Sequence, residues 1–327
     1  MKFDVVINTD DNYIQHCMAM LCSLYENNKE HTIALHVVLK SLSDQNRNFI
    51  SGITQKYGNE CHYYIVDESP LEGVQFRKQR PLSKAAYYRL LLGSLLPQTI
   101  DKILYLDCDV IILKDISEVF QIELDDYALA AAIDDFPYTS QHRLQLSMEA
   151  DERTFCSGVM MINLKYWREH DSETQLLEYA KRYRKEVHLH DQDVLNYVFK
   201  KKWFLLPPKW NRLPYSLLLA GNVHFQSFDV DEYLHNPMLL HYASLNLKPW
   251  YNIYTYKKHY YCDYLKKSGY TPVKYDKVSW KVRMLAYKAQ LRLIICLYLE
   301  PYTPRIIQIV LGDLKNLIKG CMKLFSI

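Results

Sequence analysis

The chain has 327 residues, 49% apolar and 24% charged, with a formal net charge of +3. That balance belongs to a folded globular protein of one large or two ordinary domains and excludes a disordered chain. No apolar run approaches the ~20 residues of a membrane span, the longest near the C-terminus being "LIICLYL" at 293–299. The eight cysteines, at 17, 22, 61, 108, 156, 262, 296 and 321, form no CxxC pair, which argues against zinc-ribbon and thioredoxin readings. "MKFDVVINTDD" reaches acidic residues before any apolar stretch long enough for a signal peptide, so a reduced, cytoplasmic setting is expected.

In chain order, "FDVVINTDDNY" (3–13) reads as a buried strand ending in polar residues. "IQHCMAMLCSLYENN" follows with Ile14, Met18, Leu21 and Leu24 at helical spacing. "TIALHVVLK" is a second strand, "SDQNRNFISGITQKYG" a helix with a Ser/Asp start signal, and "CHYYIVD" a third strand. Residues 84–96, "KAAYYRLLLGSLL", read as a helix before the strand "ILYLDCDVIIL" (103–113). "YALAAAIDDF" and "SGVMMINLKYW" are further strands, apolar enough to be buried on both faces. "HDQDVLNYVF" opens a helix with acids in its first turn, and "PMLLHYAS" (237–244) is a late strand. The alternation predicts a mainly parallel α/β sheet flanked by helices.

Two absences narrow the chemistry. None of the nine glycines lie two residues apart, so GxGxxG is impossible, and no Gly-Lys-Ser/Thr is present. A nucleotide bound here needs some other positive charge at its phosphates, and a divalent metal supplies one. There is also no G-x-S-x-G elbow, which argues against an α/β-hydrolase.

Asp107 and Asp109 interrupt the apolar run "ILYLDCDVII". In an extended chain residues i and i+2 point to one side, so the two carboxylates are expected to converge and Cys108 to point away. Two close carboxylates repel unless a cation lies between them, and a hard divalent ion suits the pair. A solvated loop would explain a lone DxD. Flanked by "ILYL" and "VIIL", that explanation fails, because buried unpaired acids cost several kcal/mol each.

"DKILYLDCDVIIL" resembles the metal-binding segment of family 8 glycosyltransferases, the retaining GT-A enzymes that include bacterial lipopolysaccharide galactosyl- and glucosyltransferases and glycogenin. Several ordered motifs between residues 3 and 250 carry the resemblance. It implies a GT-A fold, and it assigns roles. "INTDDNY" is similar to the family's first-strand motif, giving Asn8, Asp10, Asn12 and Tyr13 contacts to the nucleotide; otherwise the stretch is a strand-to-helix turn capped by Asp11 or Asn12. "SKAAYYRLL" resembles the helix that supplies an arginine near the diphosphate and sugar, here Arg89. "HYASLNLKPW" resembles the late His-to-Lys-Pro-Trp motif, with one residue more than the usual spacing; it makes His241 the third metal ligand and Lys248 a diphosphate contact. A His beside two carboxylates favours Mn²⁺, with Mg²⁺ second. "HDQDVLN" is similar to the sugar-reading motif, with Asp191 on donor-sugar hydroxyls and Gln192 beneath the anomeric carbon. "FCSGVMMINL" resembles a segment that usually reads Phe-Asn-Ser/Ala-Gly, so Cys156 takes the Asn position at the donor sugar and Ser157 matches. "AAIDDF" matches the segment near the acceptor and nominates Asp134 beside Gln192 for catalysis.

The reaction so implied moves galactose or glucose from a UDP-sugar to an oligosaccharide or glycolipid acceptor with retention of configuration; no nucleic-acid partner is expected. A compositional boundary divides a catalytic domain at 1–265 from a C-terminal region at 266–327. From Lys277 onward nine Lys and Arg stand against two acids, a net of +7, which leaves −4 for residues 1–276. Trp280, Met284, Tyr287, Leu291, Ile294 and Tyr298 recur at helical spacing, and beyond Pro301 and Pro304 a second segment places Ile307, Leu311, Leu314, Leu317, Ile318 and Leu324 against Lys315, Lys319 and Lys323. Basic amphipathic helices suit an anionic membrane surface, here the inner face of the plasma membrane; the other reading packs them on the core with lysines outward. Other functions were weighed. A DxD phosphatase needs a Thr soon after the second Asp, where this chain has "DCDVII". A catalytically silent UDP-binding adaptor is motivated by Cys156, and self-glucosylation by the 28 tyrosines.

Overall fold

The computed structural model describes residues 1–74, 84–134, 143–144, 146–149, 152–182, 189–213, 236–243, 248–251, 255 and 257–294. The strands are β1 (Lys2–Asn8), β2 (Thr32–Leu39), β3 (Glu60–Ile65), β4 (Lys102–Leu106), β5 (Val110–Ile112), β6 (Leu129–Ile133), β7 (Phe155–Asn163), β8 (Trp203–Leu206) and β9 (Leu239–His241). The helices are α1 (Ile14–Glu26), α2 (Asp44–Lys56), α3 (Leu92–Leu95), α4 (Ser117–Phe120), α5 (Leu164–Glu169), α6 (Ser172–Arg182), α7 (Asp191–Val198), α8 (Lys258–Ser268) and α9 (Trp280–Ile294).

Seven strands form one sheet in the order β3-β2-β1-β4-β7-β6-β8. β3, β2, β1 and β4 run parallel, as do β6 and β8; β7 is antiparallel to both β4 and β6. The sheet is therefore mainly parallel, as expected, with one reversed strand in its middle. Both faces are covered, which explains why the strands lack a polar/apolar alternation. Val5, Ile7, Leu35, Val37, Leu104 and Leu106 face the layer holding α1 and α2. Val6, Val38, Ile103 and Tyr105 face a second layer with Tyr87, Trp167, Leu176 and Leu195.

Three expected elements differ in form. The single strand 103–113 is two strands in two sheets, because the chain turns at Asp107-Cys108-Asp109. Asp107 N–H donates to Gly158 O of β7 (2.8 Å), Val110 N–H closes the turn on Asp107 O (3.2 Å), and β5 leaves to pair with β9. Residues 84–96 are a 3₁₀ stretch (Lys84–Leu91) followed by the short α3, not one α-helix. The strand read over 157–167 stops at Asn163, whose side chain caps α5 by accepting from Tyr166 N–H (2.9 Å).

The small β5–β9 sheet docks on α1 and α8 through Ala19, Ile111, Leu240, Tyr242, Tyr261 and Leu265. α8 runs across position 265, and beyond it Gln15 binds both the N–H and the carbonyl of Lys274. α9 is exposed along most of its described length, with Ala286 buried against Tyr251 and Val278. Among the described residues no helix is long and apolar enough to cross a membrane. Tyr298 and the amphipathic segment at 307–324 lie outside the described residues.

Candidate active site

The break after β4 builds the site. At the tip of the turn Asp107 and Asp109 point toward the end of β9, where His241 sits buried. One ligand atom from each of the three lies within 4.8 Å of the others. His241 Nε2 is 3.2 Å from Asp109 Oδ1 and 3.9 Å from Asp107 Oδ2. The carboxylates thus converge, but through a turn held by β7 and β9, not through the pleat of one strand.

These residues fit a divalent cation. Asp109 Oδ1 is buried and makes no well-aligned hydrogen bond among the described residues, with His241 Nε2 3.2 Å away, and two carboxylates with an imidazole form a hard-to-borderline donor set. The backbone leaves room for it: a Cβ at Gly158 would lie 2.1 Å from His241 Cε1 and 2.7 Å from both Asp107 Oδ2 and His241 Nε2. The backbone φ of Gly158 is unexceptional, so space alone requires the glycine.

Electrostatics follow from the pairing. Burial alone would depress His241, but Asp109 outweighs it and lifts the imidazole to about 10. Burial would raise Asp109, yet Lys248 and His241 together hold it well below the usual carboxylate range. Lys248, itself buried, ion-pairs with Asp109 and lies over the Trp250 ring, 5.2 Å from its centroid.

A second cation braces the opposite side. Arg89 is buried; its Nη2 donates to Asp107 Oδ1 (2.7 Å), its Nε lies 3.2 Å from Asp191 Oδ2, and its Nη1 donates to Ser157 O (2.9 Å). Tyr105 carries the guanidinium on its ring face (4.4 Å to the centroid) and donates its hydroxyl to Asp107 Oδ1 (2.9 Å). Burial raises Asp191 to about 6, Arg89 holding the rise in check. Asp191 opens α7 just after His190, whose φ of +57° is unusual for a residue with a side chain and swings the helix start into the site.

The network continues to Gln192 and Asp134. Gln192 Oε1 accepts from Ser157 N–H (3.1 Å), and its Nε2 donates to Asp134 Oδ2 (2.7 Å). Asp134, Gln192, Asp191, Ser157, Arg89, Asp107, Asp109, His241 and Lys248 therefore form one connected set drawn from the residue after β6, α7, β7, the 3₁₀ stretch, the β4–β5 turn, β9 and the chain beyond β9. Cys156 lies against the imidazole, its Sγ 3.8 Å from His241 Nδ1.

The first-strand motif lies at the carboxyl end of β1. Asn8 donates to Ala85 O (3.1 Å), its own carbonyl accepts from Cys108 Sγ (3.2 Å), and its Oδ1 is buried without a donor. Asp10 Oδ1 accepts from Asn12 and Tyr13 N–H (2.9 and 3.1 Å), forming the turn into α1. Asp11 caps nothing in α1; it binds Ser43 and Asn46 at the start of α2. Tyr13 is half-exposed beside His16, which stacks on Trp250 at 3.5 Å; burial and Lys248 lower His16 to about 3.

The residues of this arrangement fall within a stretch of the chain that matches known proteins. The sequence matches the family described as glycosyl transferase family 8 over residues 4–254. The chain belongs to glycosyl transferase family 8. General stress protein A of Bacillus subtilis (strain 168) is 30% identical over 259 residues, covering 75% of this chain and 86% of that one. The lipopolysaccharide 1,2-glucosyltransferase of Escherichia coli is 26% identical over 257 residues, covering 76% and 74%. Among solved structures, the galactosyltransferase LgtC in complex with donor and acceptor sugar analogues superposes with a TM-score of 0.72 at 25% identity, covering 83% of this chain and 98% of that one. The fold is thus the GT-A fold of this family.

Three residues of the candidate site carry no role in the reading of the sequence. Tyr105 had a signal, since it lies two positions before Asp107 in a strand. Gly158 had one too, a glycine inside an apolar strand. Asn211, whose Oδ1 is 2.9 Å from His241 Nδ1, had none.

Proposed function

We propose that the protein is a Mn²⁺-dependent, retaining hexosyltransferase that moves galactose or glucose from a UDP-sugar to a saccharide acceptor such as a lipopolysaccharide or another lipid-linked glycan. The observation that carries this reading is the Asp107–Asp109–His241 cluster continuous with Arg89, Asp191 and Gln192. Asp107, Asp109 and His241 hold the cation, which when bound neutralises the leaving diphosphate. Lys248, paired with Asp109 in this structure, is within reach to add a second positive charge there.

Asn8, Asp10, Asn12 and Tyr13 take the nucleotide at the end of β1. Asp191 and Ser157 read the sugar hydroxyls. Arg89 is placed as a strut that orients Asp107 and Asp191, and less as a direct diphosphate contact. The Gln192 carbonyl, which accepts from Ser157 N–H, stabilises positive charge at the anomeric centre. Asp134 fixes the Gln192 amide and faces the acceptor.

The catalytic unit spans residues 1–265, and 266–327 forms the C-terminal region. Exposed Trp280, Met284, Tyr287 and Leu291 on α9, beside exposed Lys277, Lys281 and Arg283, support contact with an anionic membrane surface, and the proposed location is the cytoplasmic face of the plasma membrane. The test is a panel of UDP-sugars incubated with the enzyme, with UDP release measured in Mn²⁺ and after chelation. Slow, metal-dependent hydrolysis of one UDP-hexose supports the proposal. Equal release from every sugar, or release indifferent to chelation, contradicts it.

A further inference from the structure

The imidazole of His241 has two nitrogens, and only one faces the carboxylates. Nε2 is turned to Asp109 and Asp107, whereas Nδ1 meets Asn211 Oδ1 at 2.9 Å. An amide oxygen is an acceptor only, so Nδ1 must carry a proton in this pairing. A ring protonated at Nδ1 presents its remaining lone pair at Nε2, on the side of the two carboxylates. The reverse tautomer would aim an N–H at them and could not ligate a cation there.

The surroundings fix Asn211 in this role. It ends a 3₁₀ turn, Pro208–Asn211, and the next residue pairs with β9: Arg212 N–H donates to Leu239 O (3.1 Å) and His241 N–H to Arg212 O (2.9 Å). The two residues therefore lie side by side through main-chain bonds that involve neither side chain. Asn211 is 2% exposed, and its Nδ2 has no hydrogen-bond partner. Keeping a buried amide with one end unpaired is costly, so its acceptor end is the useful one. The other group near Nδ1, the Cys156 thiol, lies at 3.8 Å and is a weak acceptor.

We propose that Asn211 is a positioning residue for the metal site: its amide oxygen takes the Nδ1 proton of His241, so that Nε2 is held as a ligand toward the cation shared with Asp107 and Asp109. The inference rests on the metal reading above and adds a residue from outside the motifs. Outer partners of this kind are commonly worth about 10–100-fold in metal affinity.

Two nearly isosteric variants separate this role from packing. Asn211→Asp keeps the acceptor and discards an amide nitrogen that has no partner. Asn211→Leu keeps the shape and discards the acceptor. Mn²⁺ binding is measured by electron paramagnetic resonance of the free ion, with thermal unfolding of each metal-free variant alongside. The expected result is a loss of about 10–100-fold for Asn211→Leu, with Asn211→Asp as tight as wild type or tighter. Unchanged affinity in Asn211→Leu, or an equal loss in Asn211→Asp, overturns the assignment. If Asn211→Leu does not fold, ¹⁵N-histidine spectra of the Zn²⁺-loaded wild type decide, the His241 signal being identified with His241→Gln. A proton on Nδ1 supports the assignment, and a metal on Nδ1 overturns it. Absence of Mn²⁺ binding by the wild type is a separate result: it removes the metal reading, and this inference with it.

Discussion

Gly158→Ala is the sharpest perturbation of the cation site, because it adds one methyl group against ligand atoms of both Asp107 and His241. The new Cβ would start 2.1 Å from His241 Cε1 and 2.7 Å from Asp107 Oδ2. Ordinary contact begins near 3.4 Å, so the imidazole must retreat by about 1.3 Å or β7 must shift. Neither motion is cheap. His241 is tied by its backbone to Arg212, and β7 is bonded to β4 and β6 on its two sides. Overpacking of this kind costs about 1–3 kcal/mol of stability. Displacement of His241 from the cluster should cost the cation more than an outer partner does, at least about 100-fold or ~3 kcal/mol. The assay is Mn²⁺ titration together with denaturant unfolding. Gly52→Ala is the control: Gly52 lies inside α2 with nothing within 4 Å of a new Cβ. It should gain about 0.5–1 kcal/mol and leave Mn²⁺ binding alone. Gly158→Ala binding Mn²⁺ within about threefold of wild type would refute the claim that Asp107, Asp109 and His241 hold the ion together.

Other consequences concern charge. His241, raised to about 10 in the metal-free site, carries a proton at pH 7 that a cation on Nε2 must displace, so Mn²⁺ binding should release close to one proton and tighten up to tenfold per pH unit from pH 6.5 to 8.5. Calorimetry in buffers of different ionisation enthalpy counts that proton; none released would contradict the pairing with Asp109. The sign for stability is the ordinary one for a raised histidine: its contribution is complete below pH 6.5 and fades as pH rises through 10. Asp191, raised from 3.8 to about 6, acts in the same direction at lower pH, removing about 3 kcal/mol between pH 4 and 6; Asp191→Asn should flatten the unfolding profile over that window. Arg89→Met leaves Asp107 and Asp191 without their shared cation and should cost about 3–5 kcal/mol, a loss that a chemical melt would show shrinking as pH falls toward 6, because Asp191 without Arg89 protonates above that pH. On the membrane side, Trp280→Asp with Leu291→Asp should release the protein from anionic vesicles while UDP binding persists; undiminished pelleting would remove α9 from that role.

Much of the fold was legible because the parallel half of the sheet is buried on both faces. Val5-Val6-Ile7 and Val37-Val38-Leu39 read as continuous apolar runs for the same reason they pack into two separate layers. The reversal of β7 was not legible, since a strand carries no mark of its direction. The break at Asp107-Cys108-Asp109 was hidden by the apolar residues on both sides, which belong to two different sheets. Asp107, Asp109, His241, Arg89, Asp191 and Gln192 lie in contiguous motifs and were nominated there, and in the structure they stand in one network. What escaped depends on long-range pairing. Asn211 reaches His241 only because residues 211 and 212 run beside β9, 30 positions away. Likewise, Gly158 matters only because β7 passes under the cluster.

The central claim is that the aspartate turn and His241 hold a cation that in turn holds a nucleotide. Calorimetric titration with UDP, first in Mn²⁺ and then in EDTA, tests it most directly. The account predicts one UDP per chain in Mn²⁺ and a large loss of affinity on chelation, reproduced by His241→Gln in the presence of the metal. UDP binding of equal strength in Mn²⁺, in EDTA and in His241→Gln would contradict it.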